Sequence, residues 1–142
     1  MSIRIIKSIP ELRELTSVFS LAFEEKYEVD DAYLTGMLAN PSALLIGAFE
    51  HEEVIGGIVA FEMNPIHGAK ELYIYDIAVH PAHQKQGIGK GLIEYLKEES
   101  QKRGIKTIFV EAEAGDDGAV SFYRAIGGEE ELVKHFNFKL EY

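Results

Sequence analysis

Two periods of hydrophobic spacing alternate along the chain, and the switches between them lay out its elements. Residues 3–7 read as a short strand, after which Ser8-Ile9-Pro10-Glu11 has capping-box spacing with proline in the first turn of a helix. Leu12, Leu15, Val18, Phe19, Ala22 and Phe23 then recur at helical spacing, leaving Glu11, Glu14, Glu24 and Glu25 on or near the polar side. Asp30 can cap a second helix carrying Tyr33, Leu34, Met37 and Leu38, which Asn40-Pro41 stops. Over 43–50 and 54–63 the pattern becomes strand-like, with His51-Glu52-Glu53 as the turn of a hairpin. Gly56-Gly57 weakens a plain strand and implies that something approaches the backbone closely there.

Residues 64–70, with Pro65 and Gly68, form a loop into the most apolar stretch of the chain, 72–79, whose β-branched, aromatic and aliphatic run predicts a central buried strand. Asp76 interrupts it, and Val79-His80-Pro81 ends it, because proline cannot donate to a ladder. From Gly87 the positions Ile88, Leu92, Ile93 and Leu96 are helical in spacing, and the helix runs to about Arg103 before Gly104. A strand follows over 105–113. Asp116 or Asp117 caps a short helix over 119–126, closed by Gly127-Gly128, and Phe136, Phe138 and Leu140 at period two predict a last strand within 129–142. The order β-α-α-β-β-β-α-β-α-β is that of an α+β protein, one sheet domain over residues 1–142, without repeats or linkers.

Composition narrows the classes. The 142 residues suit one domain, and 46% hydrophobic with 27% charged residues is the balance of a soluble globular protein. No apolar run approaches the roughly 20 residues needed to cross a bilayer, so no membrane partner is expected. The N-terminus has no signal-peptide apolar core and the chain has no cysteine, which points to a cytoplasmic protein with neither disulfides nor a thiol nucleophile. A net charge of −10 opposes non-specific nucleic-acid binding and favours cationic partners, or else merely supports solubility. The acidic cluster Glu24, Glu25, Glu28, Asp30 and Asp31 has the same two readings. His80 and His83 have metal-like spacing but no third ligand at a recognisable distance, so no metal site is expected.

The turn from Gln84 to Gly89 sits at a helix N-terminus, where four backbone N–H groups lack intrahelical partners and the helix dipole favours an anion. Glycines there let amides close on phosphate oxygens. A Walker A loop fails, since Gln84 stands five before Gly89 and Gly91 occupies the hydroxyl position; a dinucleotide fingerprint fails because Gly87, Gly89 and Gly91 are spaced Gly-x-Gly-x-Gly. What remains is Gln84-x-x-Gly87-x-Gly89, or a glycine-rich turn with no ligand.

This Gln-x-x-Gly-x-Gly resembles the acetyl-CoA pyrophosphate loop of the GCN5-related N-acetyltransferases (GNAT), and Ala119-x-x-Phe122-Tyr123-x-x-x-Gly127 resembles the family's later helix, whose tyrosine lies near the thioester sulfur. The resemblance implies the GNAT fold: a mixed, mostly antiparallel central sheet with splayed middle strands, flanked by helices. It also implies acetyl-CoA as donor, held by the backbone of Ile77, Ala78 and Val79 and by Gln84, Lys85, Gln86, Gly87, Ile88, Gly89 and Lys90. An amine would attack the thioester directly, with Tyr123 donating a proton to the departing thiolate.

Asp76 is the candidate for the amine. A carboxylate in an apolar strand is costly unless paired, so it is either satisfied structurally or kept for binding or deprotonating substrate, and burial would raise its pKa towards a useful base. The runs YIYDIAV, EAEAGDDGAVSFYRAIG and KHFNF look like aminoglycoside 3-N-acetyltransferases, closely from about residue 71 to 138. That likeness implies substrate contacts from Asp76, Glu111, Glu113, Asp116, Asp117, Glu131 and His135, with a polycationic aminoglycoside drawn to the carboxylates, and a homodimer. The sequence departs from the pattern at Gln84-Lys85, Ala114, Gly118 and Gly127-Gly128. Acetylation of another cationic amine, a polyamine or a peptide, is the enzymatic alternative; a non-catalytic acyl-CoA sensor is the alternative from another class.

Overall fold

The computed structural model describes residues 1–142. They form two compact units, residues 1–111 and 112–142.

In the first unit, β1 (Ser2–Ile5) leads into α1 (Ile9–Phe23), which opens as the sequence predicts: the Ser8 side chain accepts from the Glu11 amide and Pro10 sits in the first turn. The Asp30 carboxylate accepts from the Tyr33 amide at 2.9 Å to start α2 (Asp31–Ala39). Then come the hairpin β2 (Ala43–Glu50) and β3 (Glu53–Met63), β4 (Glu71–Val79), a short 3-10 turn (Pro81–His83), α3 (Ile88–Lys102) and β5 (Thr107–Val110). The five strands lie in chain order, all antiparallel except the β4–β5 pair, which is parallel. A parallel pair requires a crossover, and α3 supplies it.

Helices cover both faces, which is why β2 and β3 are buried almost throughout and read as continuous apolar runs. Leu12, Leu15, Val18 and Phe19 of α1 and Leu34 of α2 join Leu45, Phe49 and Val59 in one core. Ile88, Leu92, Ile93 and Leu96 are the buried stripe of α3, which packs on β1 to β4. The glycine pair in β3 has its reason here. A Cβ on Gly57 would meet the Ile46 carbonyl oxygen at 2.5 Å and Leu15 Cδ1 at 2.6 Å, so α1 sits where no side chain fits. No helix is long and apolar enough to cross a membrane.

The second unit contains α4 (Asp117–Ala125), begun by the Asp116 carboxylate accepting from the Ala119 amide at 3.1 Å. Its end explains the second glycine. The Gly128 amide donates to the Tyr123 carbonyl at 2.9 Å, and a Cβ on Gly128 would sit 2.9 Å from that oxygen.

Two expectations are corrected. The predicted strand over 105–113 contracts to Thr107–Val110, and the last strand within 129–142 is absent: residues 128–142 have no regular secondary structure. Period-two patterning defines a face, but a strand exists only where its backbone finds a neighbouring ladder, and the sheet ends at β5.

Candidate active site

The site begins with two irregularities of β4. The parallel pairing with β5 spans only Glu71–Ile74, so the stretch from Tyr75 to Val79 keeps β3 on one side and has no β5 partner on the other. This is the splay that the family resemblance implies. In addition, Val59 pairs with Asp76 whereas Ala60 pairs with Ile74, leaving Tyr75 as the extra residue of a β-bulge. Strand neighbours normally face opposite sides; a bulge breaks that parity. Tyr75 and Asp76 accordingly both line one cavity of about 380 Å³, walled by residues of α1, α2, β3 and β4 and by Tyr27 and Val29 between the helices.

The cavity is mostly aromatic and apolar, with Thr16 and one acid among its lining residues. Phe19, Tyr27, Tyr33, Phe61 and Tyr75 contribute rings, and Asp76 is its only carboxylate. Half-buried among them, Asp76 is pushed from 3.8 up to about 6 by desolvation, with no cation or donor pulling it back. A carboxylate with this value is ionised near neutral pH yet basic enough to take a proton from an amine or a bridging water. Beside it, the Tyr73 hydroxyl donates to Glu111 at 2.7 Å, and Tyr73 is raised to about 12 by burial and then by that carboxylate. Tyr73 stays a neutral donor. Its ring lies 5.8 Å from that of Tyr75 and stacks on Phe109 at 4.9 Å.

At the end of β4 the glycine loop takes shape. The His80 amide donates to the Ile55 carbonyl at 2.7 Å, holding the strand end on β3, and Gln84 Nε2 donates to the Val79 carbonyl at 3.0 Å, holding the loop on the strand end. Gln84 therefore has a structural task within the motif. Lys85 and Gly87 adopt positive φ (62° and 83°), and Gly87 is the N-cap of α3 with no side-chain cap. The first amides of α3 are left without an intrahelical or capping acceptor, a fit for a pyrophosphate. Gln84, Lys85, Gln86, Gly87 and Lys90 are exposed, Gly89 is partly so, and Ile88 is buried as the loop's anchor. Ile77, Ala78 and Val79 lie on the splayed part of β4, linked to the loop through the Gln84 bond.

Other predicted residues have local roles. His80 Nδ1 accepts from the Ala82 amide, and His83 lies 3.8 Å from Glu50. Within the acidic cluster Asp30 caps α2, Asp31 binds Arg13 at 2.6 Å and Glu28 lies 3.3 Å from Lys26. In the second unit Tyr123 projects from α4 with its ring 5.4 Å from Phe122. Asp116 is the α4 cap, Asp117 lies in its first turn, and His135 Nε2 is 2.9 Å from Asn137 Oδ1. Glu113 and Glu131 are exposed. The predicted substrate acids are thus divided: Asp76 and Glu111 in the first unit, Glu113, Asp116, Asp117 and Glu131 in the second.

The sequence reading missed the aromatic wall. Tyr33 was expected on the apolar stripe of α2, but Leu34 is the residue that enters the core, at 1% exposure, while Tyr33 is 67% exposed at the cavity. The available signal was the density of aromatics at Phe19, Phe23, Tyr27 and Tyr33 around an acidic junction.

Comparison with known proteins bears on this geometry. The sequence model of the Acetyltransferase (GNAT) family matches residues 9–127. A [ribosomal protein bS18]-alanine N-acetyltransferase of Escherichia coli (strain K12) is 36% identical over 79 residues, covering 56% of this chain and 53% of that protein, so the chain matches only about half the length of this relative. A crystal structure of an aminoglycoside acetyltransferase, meta-AAC0020, from an uncultured soil metagenomic sample in complex with sisomicin superposes with a TM-score of 0.94 at 29% identity, covering 99% of this chain and 96% of that one. Another from such a sample, HMB0005, has a TM-score of 0.87 at 31% identity, covering 99% and 100%. The chain belongs to the acetyltransferase (GNAT) family, the N-acetyltransferases that use acetyl-CoA as acetyl donor.

Proposed function

We propose that residues 1–142 act as one cytoplasmic catalytic domain that acetylates an amine of a 2-deoxystreptamine aminoglycoside, at its 3-position. The observation that carries this reading is Asp76: a single carboxylate, raised to about 6, at the wall of a cavity beside the splayed half of β4. Similarity to an aminoglycoside acetyltransferase bound to sisomicin supports the substrate class, and the net charge of −10 suits a polycation.

The steps are those of a ternary complex. Amides at the start of α3 and residues Gln84 to Lys90 hold the pyrophosphate of acetyl-CoA, and backbone groups of Ile77, Ala78 and Val79 engage the pantetheine arm and the thioester carbonyl. Asp76 removes a proton from the substrate ammonium, directly or through one water, and the neutral amine attacks the carbonyl carbon. The tetrahedral intermediate collapses as the C–S bond breaks, and Tyr123 gives its phenolic proton to the thiolate. The surplus proton on the new amide nitrogen passes through water to restore the Tyr123 phenol, and Asp76 returns its proton to solvent. Glu111, Glu113, Asp116, Asp117, Glu131 and His135 contact the other cationic or polar groups of the aminoglycoside.

A second reading has its own support. The 36% identity to a ribosomal-protein-alanine N-acetyltransferase and the aromatic cavity wall suit the N-terminal amine of a peptide with an apolar first residue. Parallel assays of thiol release from acetyl-CoA with sisomicin, spermidine and an alanine-terminated peptide separate the readings, and NMR of the acetylated sisomicin gives the position. Turnover of the peptide but not of sisomicin overturns the first reading; tight acetyl-CoA binding without thiol release from any amine means a sensor.

A further inference from the structure

The cavity beside β4 holds a carboxylate to which the protein gives no counter-charge. No lysine, arginine or histidine lines it, and Asp76 is half-buried there with no cation to offset its desolvation. A negative charge placed this way is stabilised by a cation that enters from outside.

Rings make up much of the remaining wall. The bulge turns Tyr75 into the same cavity as Asp76. The Tyr75 ring stands nearly perpendicular to that of Phe61, at 85° with centroids 6.3 Å apart, and Tyr73 braces it at 77° and 5.8 Å. Two walls of a box are thereby fixed. Tyr27 joins them from the segment between α1 and α2, and Tyr33 from the first turn of α2. Tyr27, Tyr33 and Tyr75 are exposed, so their rings are not consumed by the core. The Tyr27 phenol is raised by burial and then by the charges of Glu25 and Asp76, so it stays neutral and Asp76 remains the only charge in the cavity.

This composition discriminates between kinds of cation. A primary ammonium has three N–H donors, and each one turned to a ring face exchanges an oxygen partner for a weaker contact. An N-methyl group makes no such exchange. Its share of the positive charge lies directly against the ring, and its weaker hydration lowers the cost of leaving water.

We infer that Asp76, Tyr27, Tyr33, Phe61 and Tyr75 form a cage for an N-methylated ammonium, bound in preference to a primary ammonium of the same skeleton. A quaternary ammonium has no proton to lose and no lone pair with which to attack, so it occupies the cage without reacting. The inference rests on the reading that the reacting amine enters this cavity, but not on which amine is acetylated.

Choline, its primary counterpart ethanolamine and its uncharged isostere 3,3-dimethylbutanol, each titrated into the full chain without acetyl-CoA, test it. Isothermal titration measures affinity, and proton NMR of the ligand methyl groups reports the rings. The expected result is a choline dissociation constant at least about tenfold below the other two, with N-methyl signals displaced upfield by the ring faces. Tyr75→Leu should bring choline and its isostere to within about twofold of each other, and Tyr75→Phe should keep them apart. An isostere that binds as tightly as choline overturns the cage in favour of a plain apolar pocket. Ethanolamine binding as tightly overturns it in favour of a hydrogen-bonded ammonium. Absence of saturable choline binding overturns it too, as does a Tyr75→Leu variant that discriminates like wild type. If that variant fails to fold, the wild-type comparison decides alone. Thiol release by Asp76→Asn judges the base separately: a loss of kcat without choline preference strikes the cage and leaves the base, and choline preference with kcat unchanged does the reverse.

Discussion

The two halves of β4 are built from similar residues and do different work. Glu71–Ile74 is paired on both sides, with β3 and with β5, and Leu72 and Ile74 are 0% and 2% exposed. From Tyr75 to Val79 the strand keeps only β3, is bulged, and carries Asp76. In the closed half the strand has a partner on each flank, and Leu72 and Ile74 are spent on the core. In the open half, alternate N–H and C=O groups point to where β5 has ended, and Asp76 meets a cavity instead of a packed layer. The proposed base, Asp76, stands where the sheet stops pairing, two residues beyond the closed half.

The largest expected effect falls on the open half. Asp76→Asn keeps size and polarity but removes the base, so kcat should fall by about 10² to 10⁴ while the acetyl-CoA dissociation constant is spared. In the wild type the rate should rise with pH through about 6 as Asp76 ionises, and the variant should lose that limb. Stopped-flow or thiol-release assays from pH 5 to 8 check both, and an unchanged profile in the variant would remove Asp76 from the chemistry.

Next comes the closed half. Leu72→Ala leaves a void under a fully buried side chain and should cost about 2–5 kcal/mol of stability, whereas Tyr75→Ala, at an exposed bulge position, should cost well under that and instead raise the KM for the amine. Urea denaturation of both variants measures the difference. Equal losses would mean that the two halves are not separate in role.

Much of this contrast was legible in advance, for a physical reason. The buried strands β2, β3 and β4 announce themselves by composition, α1 and α2 by their caps, and Asp76 by being charged in an apolar run. All are local signals. The bulge at Tyr75 is a matter of register between Val59 and Ala60 and their partners, which no spacing within β4 encodes. The aromatic wall joins Phe19, Tyr33 and Tyr75, distant in sequence and brought together only when α1 and α2 lie on the sheet. The missing last strand is the converse case: the local pattern is present, and the non-local partner it needs is not within the sheet.

A smaller effect is expected at the loop that continues the open half. Gly87 holds φ 83° as the N-cap of α3, a conformation that strains a β-branched residue by about 1–2 kcal/mol or more. Gly87→Val should therefore reorient the first amides of α3 and weaken acetyl-CoA binding by about tenfold to a hundredfold, with the core unaffected. Isothermal titration with acetyl-CoA measures it. An unchanged dissociation constant would place the pyrophosphate elsewhere.

The smallest effect carries a sign that separates function from architecture. Burial raises Asp76 from 3.8 to about 6, so the folded chain holds this proton more tightly than the unfolded one. Stability from this group is therefore undiminished below about pH 4, falls as pH rises from about 4 to about 6, and carries the full penalty above that. Asparagine has no charge to desolvate. Asp76→Asn should consequently be more stable than wild type at pH 8, by about 1 kcal/mol once solvent access to the half-buried group is allowed for, and no more stable at pH 4. Thermal melts at the two pH values check this. A variant less stable at pH 8 would mean that the carboxylate is held by a structural partner; a gain confined to high pH means that the fold tolerates an unfavourable charge at the one position where the open half of β4 needs a base.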